Sequence, residues 1–310
     1  MRINSNMKEF TENKESIRLS PSSINTFLKC PREFFLSYIK RLPRKTTHHM
    51  LKGTIIHEVL ENFYDKYDKA PETKMDTLFN ESFEKFKEEW DALGLSKEVS
   101  RKEKDDCKRI LMLQAILLQV KMDVLVEGGK AKSKSEAFKQ IAPRFKEMWV
   151  EDEELNVCGY IDRVDIGYNG EINITDYKTS KRHGTGMPED YKLQCGIYAV
   201  LYFRETGKMP TLVSIDYLRY GSEPGILVTP SLLQYTLQKI QFVRDNTWGR
   251  ELEDYPMNEQ HLCKWCSYVG MCSSMEKIEE AERMKAMLKA VEEADKKEEE
   301  GKSNTDSPEL

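Results

Sequence analysis

Residues 154–178 read ELNVCGYIDRVDIGYNGEINITDYK, two stretches of alternating apolar and polar residues that meet at Asn169-Gly170. Asn-Gly suits a tight turn between antiparallel strands, because both positions tolerate positive φ. Alternation and turn together predict a β-hairpin. With a side-chain period of two, Ile172, Ile174, Asp176 and Lys178 share one face of the second strand. On the first, Tyr160, Asp162, Val164 and Ile166 alternate likewise, so Asp162 is expected on an apolar face. Two carboxylates and an ammonium are costly to bury unless they are paired or hold a metal. A structural salt bridge alone would need one carboxylate. Asp162 and Asp176 therefore read as oxygen donors for a divalent cation. The Tyr177 carbonyl is a candidate third oxygen, and Lys178 is placed to orient a water and stabilise developing negative charge.

Helices surround this hairpin in the sequence pattern. Ser20 and Pro21 suit a helix start, and Pro31 begins a second short helix carrying Phe34, Phe35 and Tyr38. GTIIHEVLENFYDKY (53–67) places Ile56, Leu60, Phe63 and Tyr67 at helical spacing, with His57 and Glu61 together on a neighbouring face. Residues 72–148 are Lys- and Glu-rich and read as helical almost throughout, a large insertion at about 70–148. PEDYKLQCGIYAVLYFRETG (188–207) is a helix whose Tyr191, Gln194 and Tyr198 form a polar-aromatic stripe. Strands are expected within 211–221 and 225–229, and a helix from Pro230 to about Arg244.

Charge says little about partners until it is located. The net charge of −5 resides in the tail: residues 276–300 hold ten acids and six bases, and 301–310 hold two acids and one base. The remainder is close to neutral, with one basic stretch, KRLPRKTTHHMLK (40–52), as either a candidate nucleic-acid patch or a solvated loop. The most apolar run, ILMLQAILLQV (110–120), is too short to span a bilayer, and the polar N-terminus is no signal peptide, so a cytoplasmic protein without membrane contact is expected. Residues 1–18 read as a flexible leader and 276–310 as a charged, partly disordered tail. There is no internal repeat and no GxxxxGK[ST] phosphate loop, so a helicase motor would be a separate chain.

Seven cysteines without a secretory signal argue against a disulfide framework. Three of them, Cys263, Cys266 and Cys272, make an incomplete tetrahedral set, and Cys30 is the candidate fourth ligand. Four thiolates can hold zinc or an iron–sulfur cluster, and spacing alone favours zinc. Cys107, Cys158 and Cys195 read as small core residues, and Trp265 and Tyr268 as either base-stacking or packing groups.

Taken in order, Gly53-x3-His57-x3-Glu61, GYIDRVD with Asp162, TDYK with Asp176 and Lys178, and Gln194-x3-Tyr198 resemble the RecB-type branch of the PD-(D/E)xK nuclease superfamily. The opening LSPSSINTFLKCPREFFLSYI is similar as well, and the resemblance covers about 19–275 apart from the insertion. It implies an α/β fold, a restriction-endonuclease-like core with a small mixed sheet flanked by helices. It also implies Mg²⁺ or Mn²⁺ held by His57, Asp162 and Asp176, Lys178 as the catalytic lysine, and Gln194 and Tyr198 as substrate-binding or site-supporting residues, with Tyr191 and Glu61 beside them. Cys30 and the later trio match the family's four-cysteine subgroup, similar to AddB-type and CRISPR-associated RecB-like exonucleases, and the resemblance therefore implies [4Fe–4S] over zinc. The expected function is a metal-dependent DNA exonuclease of recombination, repair or replication, acting on single-stranded DNA or DNA with free ends, alone or with a helicase or recombination partner. The alternatives are a structure-specific or flap endonuclease and a non-catalytic DNA-end-binding adaptor.

Overall fold

The computed structural model describes residues 17–65, 71–181, 186–249 and 251–303, with the side chains at 275 and 292–303 not described. The leader before Ile17, Tyr67 and the tail beyond Ser303 lie outside the described residues. The elements run α1 (Pro21–Lys29), α2 (Pro31–Phe34) continuing into a π-helical turn (Phe35–Ile39), α3 (His48–Asp65), α4 (Pro71–Lys85), α5 (Lys87–Ala92), α6 (Lys97–Glu127), α7 (Lys134–Ile141), β1 (Phe145–Asp152), β2 (Val157–Ile166), β3 (Ile172–Lys178), α8 (Glu189–Thr206), β4 (Leu212–Tyr217), β5 (Gly225–Leu227), α9 (Pro230–Asp245) and α10 (Met275–Ser303). No described helix is long and apolar enough to cross a membrane.

The chain divides into two compact units. One consists of Arg18–Ser22 and Thr46–Phe242 and contains the whole sheet, in the order β1-β2-β3-β4-β5. β3 and β4 pair in parallel and every other pair is antiparallel. A parallel pair needs a crossover, and α8 supplies it. Leu193, Ile197 and Leu201 of α8 are buried, while Tyr177 and Leu218 join a separate apolar core built from α3, α4, α6 and α7. Gly159 on β2 permits a close approach, since a Cβ there would lie 3.2 Å from the Tyr198 ring and 3.3 Å from Pro21. The structure is thus the expected α/β arrangement, a small mixed sheet flanked by helices, with the helices α4–α7 running between α3 and β1.

Two details differ from the sequence reading. The helices end at Ile141, and residues 145–148, read as helical, are the first half of β1. Pro143 stops the helix, and the strand that follows has the weak, charged alternation FKEMWVED. Second, Tyr160 and Ile166 are exposed whereas Asp162 and Val164 are buried, so these four do not form one apolar face. Burial along β2 follows Val157, Gly159 and Ile161, then switches phase to Asp162 and Val164.

Residues 40–52 are not a continuous basic loop either. His48–Lys52 begin α3, and the Lys52 side chain is buried, 2.7 Å from Glu103 and in contact with Asp106. Asp106 also accepts a bidentate pair from Arg219 at 2.6 and 2.7 Å, which ties α6 to the turn after β4.

The other unit holds Ser23–Lys45 and the chain from Val243 onward. Its centre is aromatic. Tyr255 lies 4.9 Å from Phe35 and 6.2 Å from Phe34, ring centroid to centroid. Buried Arg32 donates to the carbonyls of Tyr255 (2.7 Å) and Cys272 (2.6 Å), joining two segments more than two hundred residues apart in sequence. Tyr268 is buried and donates to the Leu42 carbonyl at 2.9 Å, a packing role, whereas Trp265 is exposed under the Lys264 ammonium.

Candidate active site

The β2–β3 ladder ends at Arg163↔Thr175. The next rung would set Asp162 directly against Asp176, and two like charges in that position repel. The strands part instead. Freed from the ladder, the Tyr177 N–H donates to Asp162 Oδ2 at 2.6 Å, so the side chain takes over a backbone bond. The same carboxylate presents Oδ1 to His57 Nδ1 at 3.6 Å, on the helix α3 that also packs its ring edge-on against Tyr177 (5.7 Å).

Asp176 is almost wholly buried. Its Oδ1 accepts from Gln194 Nε2 at 2.8 Å, and Lys178 Nζ lies 2.6 Å from Oδ2. That approach is out of line for a hydrogen bond, and Oδ2 has no hydrogen-bond donor among the described residues. Gln194 bridges the pair, accepting from Lys178 Nζ at 3.0 Å and reaching the Tyr198 hydroxyl at 3.3 Å. Tyr191 offers its ring to the Lys178 ammonium at 4.9 Å. The stripe on α8 therefore converges on Asp176 and Lys178. Tyr177, with its carbonyl, lies between those two residues on β3. Glu61 is exposed on the wall of a cleft of about 660 Å³ that also includes His57, Glu147 and Lys178.

Glu147 was not anticipated. It stands opposite Asp162 between the rungs Lys146↔Arg163 and Met148↔Ile161, with φ of 43° in the left-handed region that disfavours a side chain. Its position follows from the β1–β2 turn: Asp152 pairs with Val157, and Asn156 takes φ of 48°, as asparagine readily does. Counting back from that turn would have found it. One ligand atom each from His57, Glu147 and Asp162 lies within 4.8 Å of the other two, a spacing one cation can span.

The electrostatics show an excess of negative charge. Burial pushes the Glu147 carboxyl up to about 7, helped by Asp162. Burial likewise raises Asp176 to about 6, with Lys178 opposing and Asp162 adding to the rise. Burial pulls the His57 imidazole down, but Asp162, Asp176 and Glu147 outweigh it and hold it above its ordinary value. Lys178 behaves the same way: desolvation lowers it, and the two aspartates more than restore it, so it remains an ammonium. An imidazole and three carboxylates facing the Lys178 ammonium, with Asp176 Oδ2 lacking an aligned hydrogen-bond donor among the described residues, fit a divalent cation.

In the other unit, Cys30, Cys263, Cys266 and Cys272 line one cavity of about 370 Å³, and none is in a disulfide. The Cys263 sulfur accepts from the Gln260 N–H at 3.3 Å, and the Asn258 and Gln260 side chains bond the Lys29 carbonyl next to Cys30.

No curated protein matches the chain. Among solved structures, a candidate exonuclease from Eubacterium rectale is similar, at 14% identity and a TM-score of 0.44 over 86% of this chain and 92% of that one. The sequence profile of the PD-(D/E)XK nuclease superfamily matches residues 18–273. That match spans the cleft with Asp162, Asp176 and Lys178 as well as the four cysteines, and the chain belongs to the PD-(D/E)XK nuclease superfamily.

Proposed function

We propose that the chain is a RecB-type, Mg²⁺- or Mn²⁺-dependent DNA exonuclease of the four-cysteine subgroup, serving recombination, repair or replication. Membership of the superfamily makes it a nuclease, with DNA the implied substrate and divalent metal the usual cofactor. The observation that carries the metal reading is the convergence of His57, Glu147 and Asp162 within 4.8 Å, beside the buried Asp176 carboxylate. These four residues would hold the ion, which when bound supplies Lewis-acid polarisation and a water of lowered pKa. The Tyr177 carbonyl remains a candidate further ligand.

Lys178 is kept protonated by Asp176 and Asp162, so it does not remove a proton. It stabilises negative charge gathering on the phosphate and orients the attacking water, while Gln194 fixes both Lys178 and Asp176. Tyr198 and Tyr191 hold Gln194 and the ammonium in place. Glu61, on the open wall of the cleft, contacts solvent or substrate.

The four cysteines would hold a [4Fe–4S] cluster that staples the first and last segments of their unit. The reading rests on the match of Cys30 and the Cys263, Cys266 and Cys272 trio to the four-cysteine subgroup, and it is supported by the four lining one cavity of about 370 Å³.

The test is digestion of linear DNA labelled at either end, beside a closed circular control, with and without Mg²⁺ or Mn²⁺. Metal-dependent loss of the linear strands alone, abolished by Lys178→Ala, supports the reading. Cutting of the circle would make the enzyme an endonuclease. Binding without cleavage by the wild type would make it an adaptor.

A further inference from the structure

Two adjacent histidines open α3, and a carboxylate from α6 meets them. One ligand atom each from His48, His49 and Glu103 lies within 4.8 Å of the other two. Successive residues on a helix ordinarily diverge by about 100°. Here the two imidazole rings lie 4.0 Å apart, centroid to centroid, on the first turn of the helix. Thr47 sets that turn, accepting from the Met50 N–H through its carbonyl (3.0 Å) and its hydroxyl (3.3 Å). All three residues belong to the sheet-bearing unit, and none of them lines the cleft.

The carboxylate is held in place from behind. Glu103 accepts from Lys52 at 2.7 Å, and the Lys52 side chain is only 4% exposed. Lys52 also contacts Asp106, which Arg219 grips at 2.6 and 2.7 Å. Carboxylates that bind metals are commonly fixed by an outer partner of this kind. A carboxylate offers about four lone pairs, so one bond from Lys52 leaves Glu103 able to donate to a cation.

The surrounding charge selects the kind of cation. Lys52, Arg109 and Arg219 gather on Asp106 and Glu103, so this neighbourhood has no surplus of anionic oxygen. Mg²⁺ and Ca²⁺ depend on such oxygens and are poorly served here. Two imidazoles and one carboxylate are instead donors that Zn²⁺ takes, and three of them leave one tetrahedral position open.

We propose that His48, His49 and Glu103 form a further metal site, for Zn²⁺, which clamps the first turn of α3 to α6. The same helix carries Gly53, Thr54 and His57 into the cleft. An ion at its first turn would therefore brace the helix that supplies His57.

Calorimetry of the full chain with Zn²⁺ tests this. The readout is the one equivalent of Zn²⁺ that disappears on substitution, so metal taken up at the cleft or by the cysteines does not enter it. His48→Ala or His49→Ala should weaken that equivalent about a hundredfold or more, and Glu103→Gln about tenfold or more. Asp162→Asn, which alters the cleft, should leave it in place. Zn²⁺ should also raise the thermal midpoint by several degrees in the wild type, and by less in His49→Ala. Unchanged stoichiometry and affinity in His49→Ala would overturn the proposal. Loss in His49→Ala without any in Glu103→Gln would overturn it too, leaving only a pair of surface histidines. So would Mg²⁺ displacing Zn²⁺ from this equivalent at equal concentration. If His48→Ala or Glu103→Gln does not fold, His49→Ala still decides, because His49 is exposed. The measurement needs no cleavage, so its outcome is separate from that of the digestion assay.

Discussion

Glu147 faces Asp162 across β1 and β2 at a position between two intact rungs, with its backbone in the left-handed region. An L-residue there costs about 1 kcal/mol over glycine. That strain is retained where the carboxylate completes a set with His57 and Asp162. Glu147→Gly should therefore stabilise the metal-free protein by about 1 kcal/mol while weakening Mn²⁺ binding about tenfold or more. Urea denaturation and calorimetry with Mn²⁺ read the two effects separately. A variant that loses stability and keeps its affinity would show that Glu147 serves the fold.

The pH dependence has a definite sign. Burial raises Glu147 from 4.5 to about 7 and Asp176 from 3.8 to about 6. Between those limits the folded state holds protons that the unfolded chain has released. Stability of the metal-free protein should fall as pH rises from about 4 to about 7, through these two groups. A bound divalent ion favours the carboxylates and should reverse the trend. Denaturation midpoints at about pH 5 and about pH 7.5, with and without Mn²⁺, check this. Metal affinity and cleavage should rise together across the same interval.

Lys178 and Gln194 act as a pair. Because Lys178 is held protonated, cleavage should show no loss on the acid side attributable to its titration. Lys178→Ala should lower kcat by about a hundredfold to ten-thousandfold, with Mn²⁺ affinity little changed. Gln194→Leu frees Asp176 Oδ1 and Lys178 Nζ from their bridge at 2.8 and 3.0 Å and should cost about tenfold to a hundredfold in kcat. Single-turnover rates beside metal titrations distinguish the two. Comparable loss of metal binding in Lys178→Ala would assign the lysine a structural part.

The network around Asp106 ties α6 to α3 and to the turn after β4. Its carboxylate is buried between Arg219 and Lys52, and the Arg219 pair, then Lys52, hold it well below the usual carboxylate range. Asp106→Ala leaves the Lys52 ammonium short of a partner and should destabilise the sheet-bearing unit by about 3 kcal/mol. The wild-type contribution should be present above pH ~4 and fade as pH falls below it. Urea denaturation of wild type and variant at neutral pH measures the loss. A change under about 0.5 kcal/mol would mean that the cluster is solvated.

Strict local patterns were legible in the sequence. Asn169-Gly170 marked the β2–β3 turn, where Gly170 takes φ of 85°. The α8 stripe set Gln194 and Tyr198 on one helix face, which left an ordinary helix interface as open as a site-supporting role; in the structure Gln194 bonds Asp176 and lies 3.3 Å from the Tyr198 hydroxyl. Other features depended on non-local geometry. The first half of β1 was read as helix because the apolar residues of FKEMWVED, Phe145, Met148, Trp149 and Val150, do not alternate strictly, and Glu147 was lost with it. The phase switch between Ile161 and Asp162 cannot be seen in a period of two, because it arises where the strands part. Likewise Lys52 looked like part of a basic patch, since its partners Glu103 and Asp106 lie about fifty residues away on α6.

The cysteine cavity brings together positions that sequence separates widely, and that separation makes Cys30 the informative residue to change. Cys263, Cys266 and Cys272 are close in sequence and could retain a metal between themselves, whereas Cys30 closes a loop of more than two hundred residues. Cross-linking a loop that long stabilises by about 4 kcal/mol or more in chain-entropy terms. Cys30→Ser should therefore abolish the broad absorption near ~400 nm expected of protein purified without oxygen, and lower the thermal midpoint by several degrees. Absorption spectra, iron and zinc analysis, and melting curves of the two proteins suffice as measurements. Zinc in place of iron would replace the cluster assignment while leaving the staple intact. A wild type that carries neither metal, and melts as Cys30→Ser does, would remove the staple altogether.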